Sequence, residues 1–350
     1  MSLDMAFAQE ERELQRVRAR KKALRQLQDG AFESPAASLA ELRLLWQGLD
    51  ENFQRAISAR TLLDDTFSFS RILGENTTYD ELERRLYDLP PEVFRVRAAD
   101  ARERINYSTK DTQLAQAYLE SRYRRSWMKQ SPSLSAVQQF YAGLHDISVS
   151  IGVLSPRVSS QPEILSLLSD QFMALDNAPT LTSICRSWLE LLPASQENVL
   201  TQLLWFTLMP VLLMRSGYVS FGAISFGRGF SYLTLYNEPS PEARLVYLAG
   251  ALSRAARDGA TRIRAVESQI TKWRDKLRGS PKGVCHDALP WLITRGRIRA
   301  VDLTRQLGCH RSHSQRAIDY LVRQNILTCV TDQKRNKIYS PVFDINDLRR

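Results

Sequence analysis

The feature that most constrains this chain lies near its C-terminus, where residues 307–324 read LGCHRSHSQRAIDYLVRQ. Four apolar residues there recur at i, i+1, i+4 and i+5, the spacing of one side of an α-helix: Ala317, Ile318, Leu321 and Val322. A shorter apolar-periodic stretch, residues 299–307, comes just before and stops at Gly308, a residue type that ends helices. The pattern predicts two helices that are joined by a tight turn.

The segment after these two helices makes the prediction more specific. Residues 325–330 (NILTCV) and 337–342 (KIYSPV) favour β-strands, and the polar, basic run between them favours a turn. With a further helix predicted over residues 287–296, the order of elements resembles a winged helix-turn-helix domain over about 60 residues. In such domains the second helix of the motif lies in the major groove of DNA and a β-hairpin forms the wing.

The resemblance implies which side chains would meet DNA. With the apolar stripe turned inward, the outward residues near the start of the second helix are Arg311, Ser312, His313, Gln315, Arg316 and Asp319. Arg and Gln side chains can form paired hydrogen bonds with guanine and adenine, respectively. Wing residues would hold phosphates, and we expect these to be Lys334, Arg335, Asn336 and Lys337. A domain of this type that contacts protein instead of DNA is the alternative.

A metal site is a second interpretation of the same stretch, because Cys309, His310 and His313 lie close together and Cys285 and His286 could add ligands. Zinc sites, however, are built from cysteine or histidine pairs at short, regular spacings. No such pair occurs here, so we expect no metal ligand. His310 also stands where a helix N-cap usually has Ser, Thr, Asp or Asn, which leaves the first residue of the helix open, since Ser312 could cap instead.

Charge is distributed unevenly along the 350 residues. The last hundred residues contain 21 Lys and Arg against 9 Asp and Glu, whereas the first 250 contain 27 against 29. The excess of +10 for the whole chain therefore lies in its C-terminal part, which favours a polyanion such as double-stranded DNA as partner. Four cysteines without paired spacing and no visible secretory signal favour a cytoplasmic protein, which a DNA partner would place at the nucleoid. The most apolar run, residues 203–214, is too short to span a bilayer and contains Pro210, so we expect a buried helix there and no membrane association.

Several segments of the central region resemble the Fic family, whose active members transfer AMP or a related group to a protein hydroxyl. FSRILGENTTYDEL (69–82) is similar to the family's regulatory segment, and residues 136–160 are similar to its helix and flap. Residues 212–236 and 243–270 are similar to the parts that come after the active-site loop. The resemblance implies a helical body that carries a small β-hairpin, which the β-branched residues around Gly152 also favour.

The residues that carry the family's chemistry are missing from this sequence. The motif HPFx[DE]GN[GK]R should fall near residues 190–210, but residues 187–214 contain no His, Gly, Lys, Arg or Asp. Leu73 stands where the family's inhibitory Glu would be, and Phe69 stands where its first Ser would be. The glycines of GAISFGRG (222–229) could instead cradle a phosphate or simply connect two helices. We expect no catalytic residue and no cofactor.

These observations predict a mainly α protein: a helical Fic-like body with a small β-hairpin, followed by a C-terminal winged helix-turn-helix domain. The predicted units are an N-terminal helical segment (1–49), the catalytically degenerate body (50–278), a linker (279–283) and the DNA-binding domain (284–350). The expected function is sequence-specific binding of double-stranded DNA, as a transcriptional regulator. We expect a homodimer, with a protein partner as a further option. Two alternatives stay open: a Fic-type transferase with a variant site, and a nucleic-acid-binding scaffold subunit of a larger nucleoprotein complex.

Overall fold

The structure is a computed structural model of the 350-residue chain. It describes residues 31–72, 133–150, 154–155, 157–160, 162–174, 179–220, 222–278, 283–294, 297–331 and 337–342. Most of the N-terminal segment, the Fic-like stretch from Leu73 to residue 82 and the tip of the predicted wing lie outside these residues.

The described residues are mainly helical, as the sequence predicts, and they contain one two-stranded antiparallel sheet, whereas the sequence predicts two β-hairpins. The body consists of Glu33–Gln47 (α1), Glu51–Ile72 (α2), Leu134–Ser150 (α3), Glu163–Ala174 (α4), Leu181–Glu190 (α5), Val199–Arg215 (α6), Phe226–Gly229 (α7), Tyr232–Asn237 (α8) and Pro241–Lys276 (α9). The C-terminal part consists of Val284–Thr294 (α10), Ala300–Leu307 (α11), Arg311–Arg323 (α12), Leu327–Cys329 (β1) and Tyr339–Pro341 (β2).

Helix α6 lies at the centre of the body and contains the apolar run 203–214, in which only Met214 is half-buried. Asn198 caps the helix, since its side-chain oxygen accepts hydrogen bonds from the backbone N–H groups of Leu200 and Thr201. All residues from Leu203 to Leu213 are buried, on every side of the helix. A helix that is apolar all round requires neighbours all round, and α3 and α5 supply two of them. No helix in the described ranges is long and apolar enough to cross a lipid bilayer.

The 36-residue helix α9 is the longest of the described elements and packs along α1. Ser240 caps its start by accepting a hydrogen bond from the backbone N–H of Ala243. Small residues on its buried side let neighbouring backbones approach closely. At Gly259 an added Cβ would lie 2.8 Å from the backbone oxygen of Ala223 and 3.0 Å from a methyl group of Leu42, so only glycine fits this crossing.

The β-hairpin predicted around Gly152 is wrong over its first residues, because α3 continues as a helix to Ser150. Buried side chains recur along α3 at helical spacing, from Val137 and Phe140 through Tyr141 and Leu144 to Ser148. Packing against α4 and α6 therefore outweighs the strand preference of the β-branched residues near the end of this helix. Beyond α3, the described residues between 154 and 160 form bends and a turn rather than a strand.

The C-terminal part consists of three helices and the small sheet. Helix α10 contacts α11 and α12, which also contact each other, and α12 is followed by β1. β1 and β2 pair antiparallel, with Thr328 opposite Ser340. Ile298, just before α11, exchanges two backbone hydrogen bonds of 2.8 and 2.9 Å with Tyr339. The order of elements is therefore helix, bridge residue, helix, helix, strand, strand.

The C-terminal part shares its core with the body. Helix α9 ends at Lys276 and α10 begins at Val284, so the predicted linker 279–283 falls between two helices, where only residue 283 is described. Helix α10 packs against α2 as well as against α9. The side-chain amine of Lys276 also donates a 3.0 Å hydrogen bond to the backbone oxygen of Asn325, just after α12. These contacts tie α10 and the residues just after α12 to the body.

Candidate nucleic-acid interface

The turn before α12 fixes where this helix begins. Gly308 ends α11 in the left-handed conformation, with φ of 60°, a region that favours glycine. His310 then caps α12, because its Nδ1 accepts a 3.3 Å hydrogen bond from the backbone N–H of Ser312. Arg311 is therefore the first residue of the helix, and the question that the sequence left open between His310 and Ser312 is decided for His310.

A buried hydroxyl cluster holds the same turn together. Ser314 is fully buried, and its Oγ accepts a 2.9 Å hydrogen bond from the hydroxyl of Thr304 on α11. The Sγ of Cys309 lies 3.1 Å from the same oxygen. A serine that is buried on the inner side of α12 was not expected from its apolar stripe. The cluster fixes the angle between the two helices, because each polar atom that it buries has a partner.

The inner and outer sides of α12 match the helical pattern of its sequence. Ala317, Ile318 and Leu321 are buried, while Val322 is only half-buried. All six residues predicted to face outward are exposed: Arg311, Ser312, His313, Gln315, Arg316 and Asp319. We call the exposed side of α12 the reading face. At 100° per residue, Ser312, Asp319 and Arg316 lie near its centre, while Gln315 lies toward one edge and His313 toward the other.

Arg311 and Arg316 on the reading face, and Lys337 beside the predicted wing, are exposed. Within the described residues, neither Arg311 nor Arg316 forms an ion pair. Lys337 comes just before β2, at one end of the predicted wing. The predicted wing residues Lys334, Arg335 and Asn336 lie outside the described residues. The strands that would carry them are in place, since Val330 donates a 2.8 Å backbone hydrogen bond to Ile338.

Arg323 belongs to the reading face, although it is not among the residues predicted to meet DNA. It is exposed, it lies seven residues after Arg316, and its guanidinium stacks over the ring of Tyr320 with 5.7 Å to the ring centroid. Seven residues are close to two helical turns, so the spacing alone could have indicated this residue. It extends the positive charge of the face by two turns.

The cysteine and histidine side chains of the turn do not converge on one point. His310 is engaged with Ser312, and the rings of His310 and His313 lie edge to face, with their centroids 6.4 Å apart. Cys309 contacts Ser314 instead of either ring. In the part of the chain that the structure describes, no three His, Cys, Asp or Glu side chains are grouped so that they could hold a metal ion.

In the body, the segment that should contain the Fic motif is a pair of packed helices. Helices α5 and α6 cover most of residues 187–214, and their apolar side chains are buried. Trp188 and Trp205 stack here, with their ring centroids 3.8 Å apart. An active-site loop must expose its base and its phosphate-binding amides to a substrate. Residues 191–198, which join the two helices, contain no His, Gly, Lys or Arg that could serve as such a base or bind a phosphate.

The glycine-containing segment 222–229, which includes α7, binds an anion of the protein itself. The buried carboxylate of Asp65 on α2 accepts a 2.9 Å hydrogen bond from the Ser225 hydroxyl and a 3.2 Å hydrogen bond from the Gly227 backbone N–H. Gly222 and Gly227 lie so close to α2 that an added Cβ would collide with Ser58 and Ser68, respectively. These contacts favour the interpretation as a connection between helices over a phosphate site.

The comparison with known proteins gives no family for this chain. No protein-family model matches the chain, and no curated protein is significantly similar to it.

Proposed function

We propose that this protein binds double-stranded DNA sequence-specifically through its C-terminal part, which acts as a winged helix-turn-helix domain, and that it is a transcriptional regulator. The observation that carries the proposal is the reading face of α12. One side of this helix is buried against α10 and α11, while the other side exposes hydrogen-bonding and cationic side chains near the helix start. Such a helix can enter a major groove with its N-terminal residues against the base edges.

The charge of the chain supports a polyanionic partner. The last hundred residues contain 21 Lys and Arg against 9 Asp and Glu, and α12 and the wing belong to this part. The exposed Lys337 suits a contact with phosphate on the strand beside the groove, together with Lys334 and Arg335. Each phosphate contact releases condensed counterions, so binding should weaken steeply with salt.

In this proposal the Fic-like body has lost its catalytic role and holds the reading helix in a defined position. The hydrogen bond from Lys276 to Asn325 and the packing of α10 on α2 support that role. A single reading helix covers only a short half-site, so the proposal includes a homodimer that binds a site with two-fold symmetry.

The proposal is tested by fluorescence anisotropy with a labelled duplex of mixed sequence, titrated at salt concentrations between about 50 and 200 mM. We expect the logarithm of the affinity to fall linearly with the logarithm of the salt concentration. Lys337→Glu should weaken binding to all duplexes alike and lower the salt slope by about one. Arg157→Glu, at an exposed position of the body, is the matched control and should change neither quantity. Absence of duplex binding at about 50 mM salt would refute the proposal.

A further inference from the structure

Two exposed side chains of the reading face are hydrogen-bonded to each other. The side-chain Nε2 of Gln315 donates a 2.9 Å hydrogen bond to the Oδ1 of Asp319, one helical turn later. Both residues are exposed on the reading face, Asp319 near its centre and Gln315 toward one edge. We propose that Gln315 specifies an adenine in the bound DNA and that Asp319 is the positioning residue that orients its amide. This inference rests on the proposed function.

The carboxylate of Asp319 determines which way the amide faces. A carboxylate can only accept hydrogen bonds, so the amide nitrogen of Gln315 must point toward it and the amide oxygen must point away. One of the two N–H bonds is used in this contact. The second N–H and the carbonyl oxygen stay available, and they form one donor and one acceptor on the same planar group.

That donor and acceptor match adenine among the four bases. In the major groove adenine presents an acceptor, N7, beside a donor, the N6 amino group, and a glutamine amide satisfies both. Guanine presents two acceptors, N7 and O6, so the oriented amide would place its oxygen against another oxygen. Without Asp319 the amide could rotate by half a turn about its last bond, and this part of the discrimination would be lost.

The negative charge of Asp319 also favours a position that faces the bases and not the phosphates. Asp319 is the only acidic residue between Arg311 and Arg323, and a carboxylate near the DNA backbone would be repelled by the phosphates. At the centre of the reading face it faces the floor of the groove instead, where its contact with Gln315 satisfies it. Because the amide is held before binding, less side-chain freedom is lost when the base is contacted.

The experiment is a selection of bound duplexes from a random library, followed by affinity measurements on the selected site with each base at each position. The wild-type protein should prefer adenine at one position of each half-site, by about tenfold to a hundredfold over the other bases. Gln315→Ala should remove this preference. Asp319→Ala should lower the ratio several-fold, while Asp319→Asn should restore it, because the asparagine oxygen can accept the same hydrogen bond.

A matched control separates base reading from charge. Asp319→Ala removes a negative charge and should raise the affinity for all DNA, so the readout is the ratio between bases and not the affinity itself. Asp287→Ala removes an equal charge from an exposed position of α10 and should leave the ratio unchanged. If the protein binds duplex DNA but Gln315→Ala keeps the adenine preference, the inference is overturned and the proposed function stands. Failure to bind any duplex overturns both.

Discussion

Trp188 and Trp205 each donate an indole N–H to the backbone oxygen of the other, at 2.8 and 2.9 Å. Their rings stack within 15° of parallel, and both residues are fully buried between α5 and α6. Phe226 and Phe230 close the cluster around Trp188 with edge contacts of 5.6 Å between ring centroids. The two helices are thereby joined by side chains that satisfy backbone groups as well as fill space.

We expect Trp188→Phe to lower the free energy of unfolding by about 2–4 kcal/mol, because the smaller ring leaves a cavity and the hydrogen bond to the Trp205 oxygen is lost. Trp205→Phe should cost a similar amount. The double variant should lose less than the sum of both, since the stacking contact is shared. Urea unfolding of the four proteins measures this, and strictly additive losses would contradict a coupled pair.

The ion pair between Arg262 on α9 and Asp64 on α2 should be essential for the body. The two groups are 2.5 Å apart, and both side chains are buried. Arg262→Met leaves a buried carboxylate without its guanidinium and should cost about 3–5 kcal/mol in urea unfolding. Arg264→Met breaks an exposed pair with Glu41 and is the control, with an expected loss below about 1 kcal/mol. Equal losses for the two variants would show that burial does not make the loss of the Arg262–Asp64 pair more costly than the loss of an exposed pair.

The left-handed turn at Gly308 should not tolerate a side chain, although space is available. No heavy atom lies within 4 Å of an added Cβ there, so the expected loss of about 1–2 kcal/mol for Gly308→Ala comes from the backbone conformation alone. Gly250→Ala, inside α9, should instead stabilise by up to about 1 kcal/mol, because the backbone is helical and only the end of Arg254 is near. Thermal unfolding should show shifts of opposite sign, and shifts of equal sign would contradict this.

Arg316 and Lys337 should affect DNA binding in different ways if the proposed function holds. Arg316→Ala should relax the preference at particular base pairs, by up to about 1–3 kcal/mol at a guanine. Lys337→Ala should weaken binding to all sequences by a similar factor. Competition with single-base variants of a selected site distinguishes the two outcomes. A uniform loss for Arg316→Ala would place this residue on a phosphate instead.

The four cysteines should react at well-separated rates with a thiol reagent. Complete burial raises the pKa of the Cys185 thiol, and burial also raises the pKa of the Cys285 thiol. A raised pKa means less thiolate at a given pH, and the thiolate is the reactive form. Cys185 should therefore stay unlabelled in native protein near neutral pH and react only on unfolding, while the exposed Cys329 should react first. Cys329→Ser should remove the fast phase, and early labelling of Cys185 would contradict its burial.

The outline of the C-terminal part could be predicted because its signals are local. An apolar stripe with a period of 3.6 residues determines which side of a helix is buried, whatever it packs against. Gly308 marks the turn for the same reason, since a left-handed backbone conformation is a property of one residue. The buried helix over residues 199–215 also follows from composition alone.

The end of α3 could not be predicted in this way. The β-branched residues near Gly152 favour a strand, and no local pattern shows that Phe140, Tyr141 and Leu144 bury a helix that runs on to Ser150. Strand preference is weak compared with the burial of a whole helical face, so the packing partners decide the outcome. The N-cap of α12 could not be predicted either, because His310 caps this helix although histidine is rarely an N-cap residue.

By itself, then, the sequence determined the mainly helical character of the protein, the turn at Gly308 and the exposed side of α12. Only the tertiary structure decided that Asp65 occupies the loop of Ser225 and Gly227, and that Thr304 and Ser314 lock the angle at which α12 stands. The physical reason is the distance along the chain over which each kind of interaction acts. Periodicity and backbone preference act within a few residues, whereas a buried polar group takes its partner from any part of the chain that folding brings within hydrogen-bonding distance.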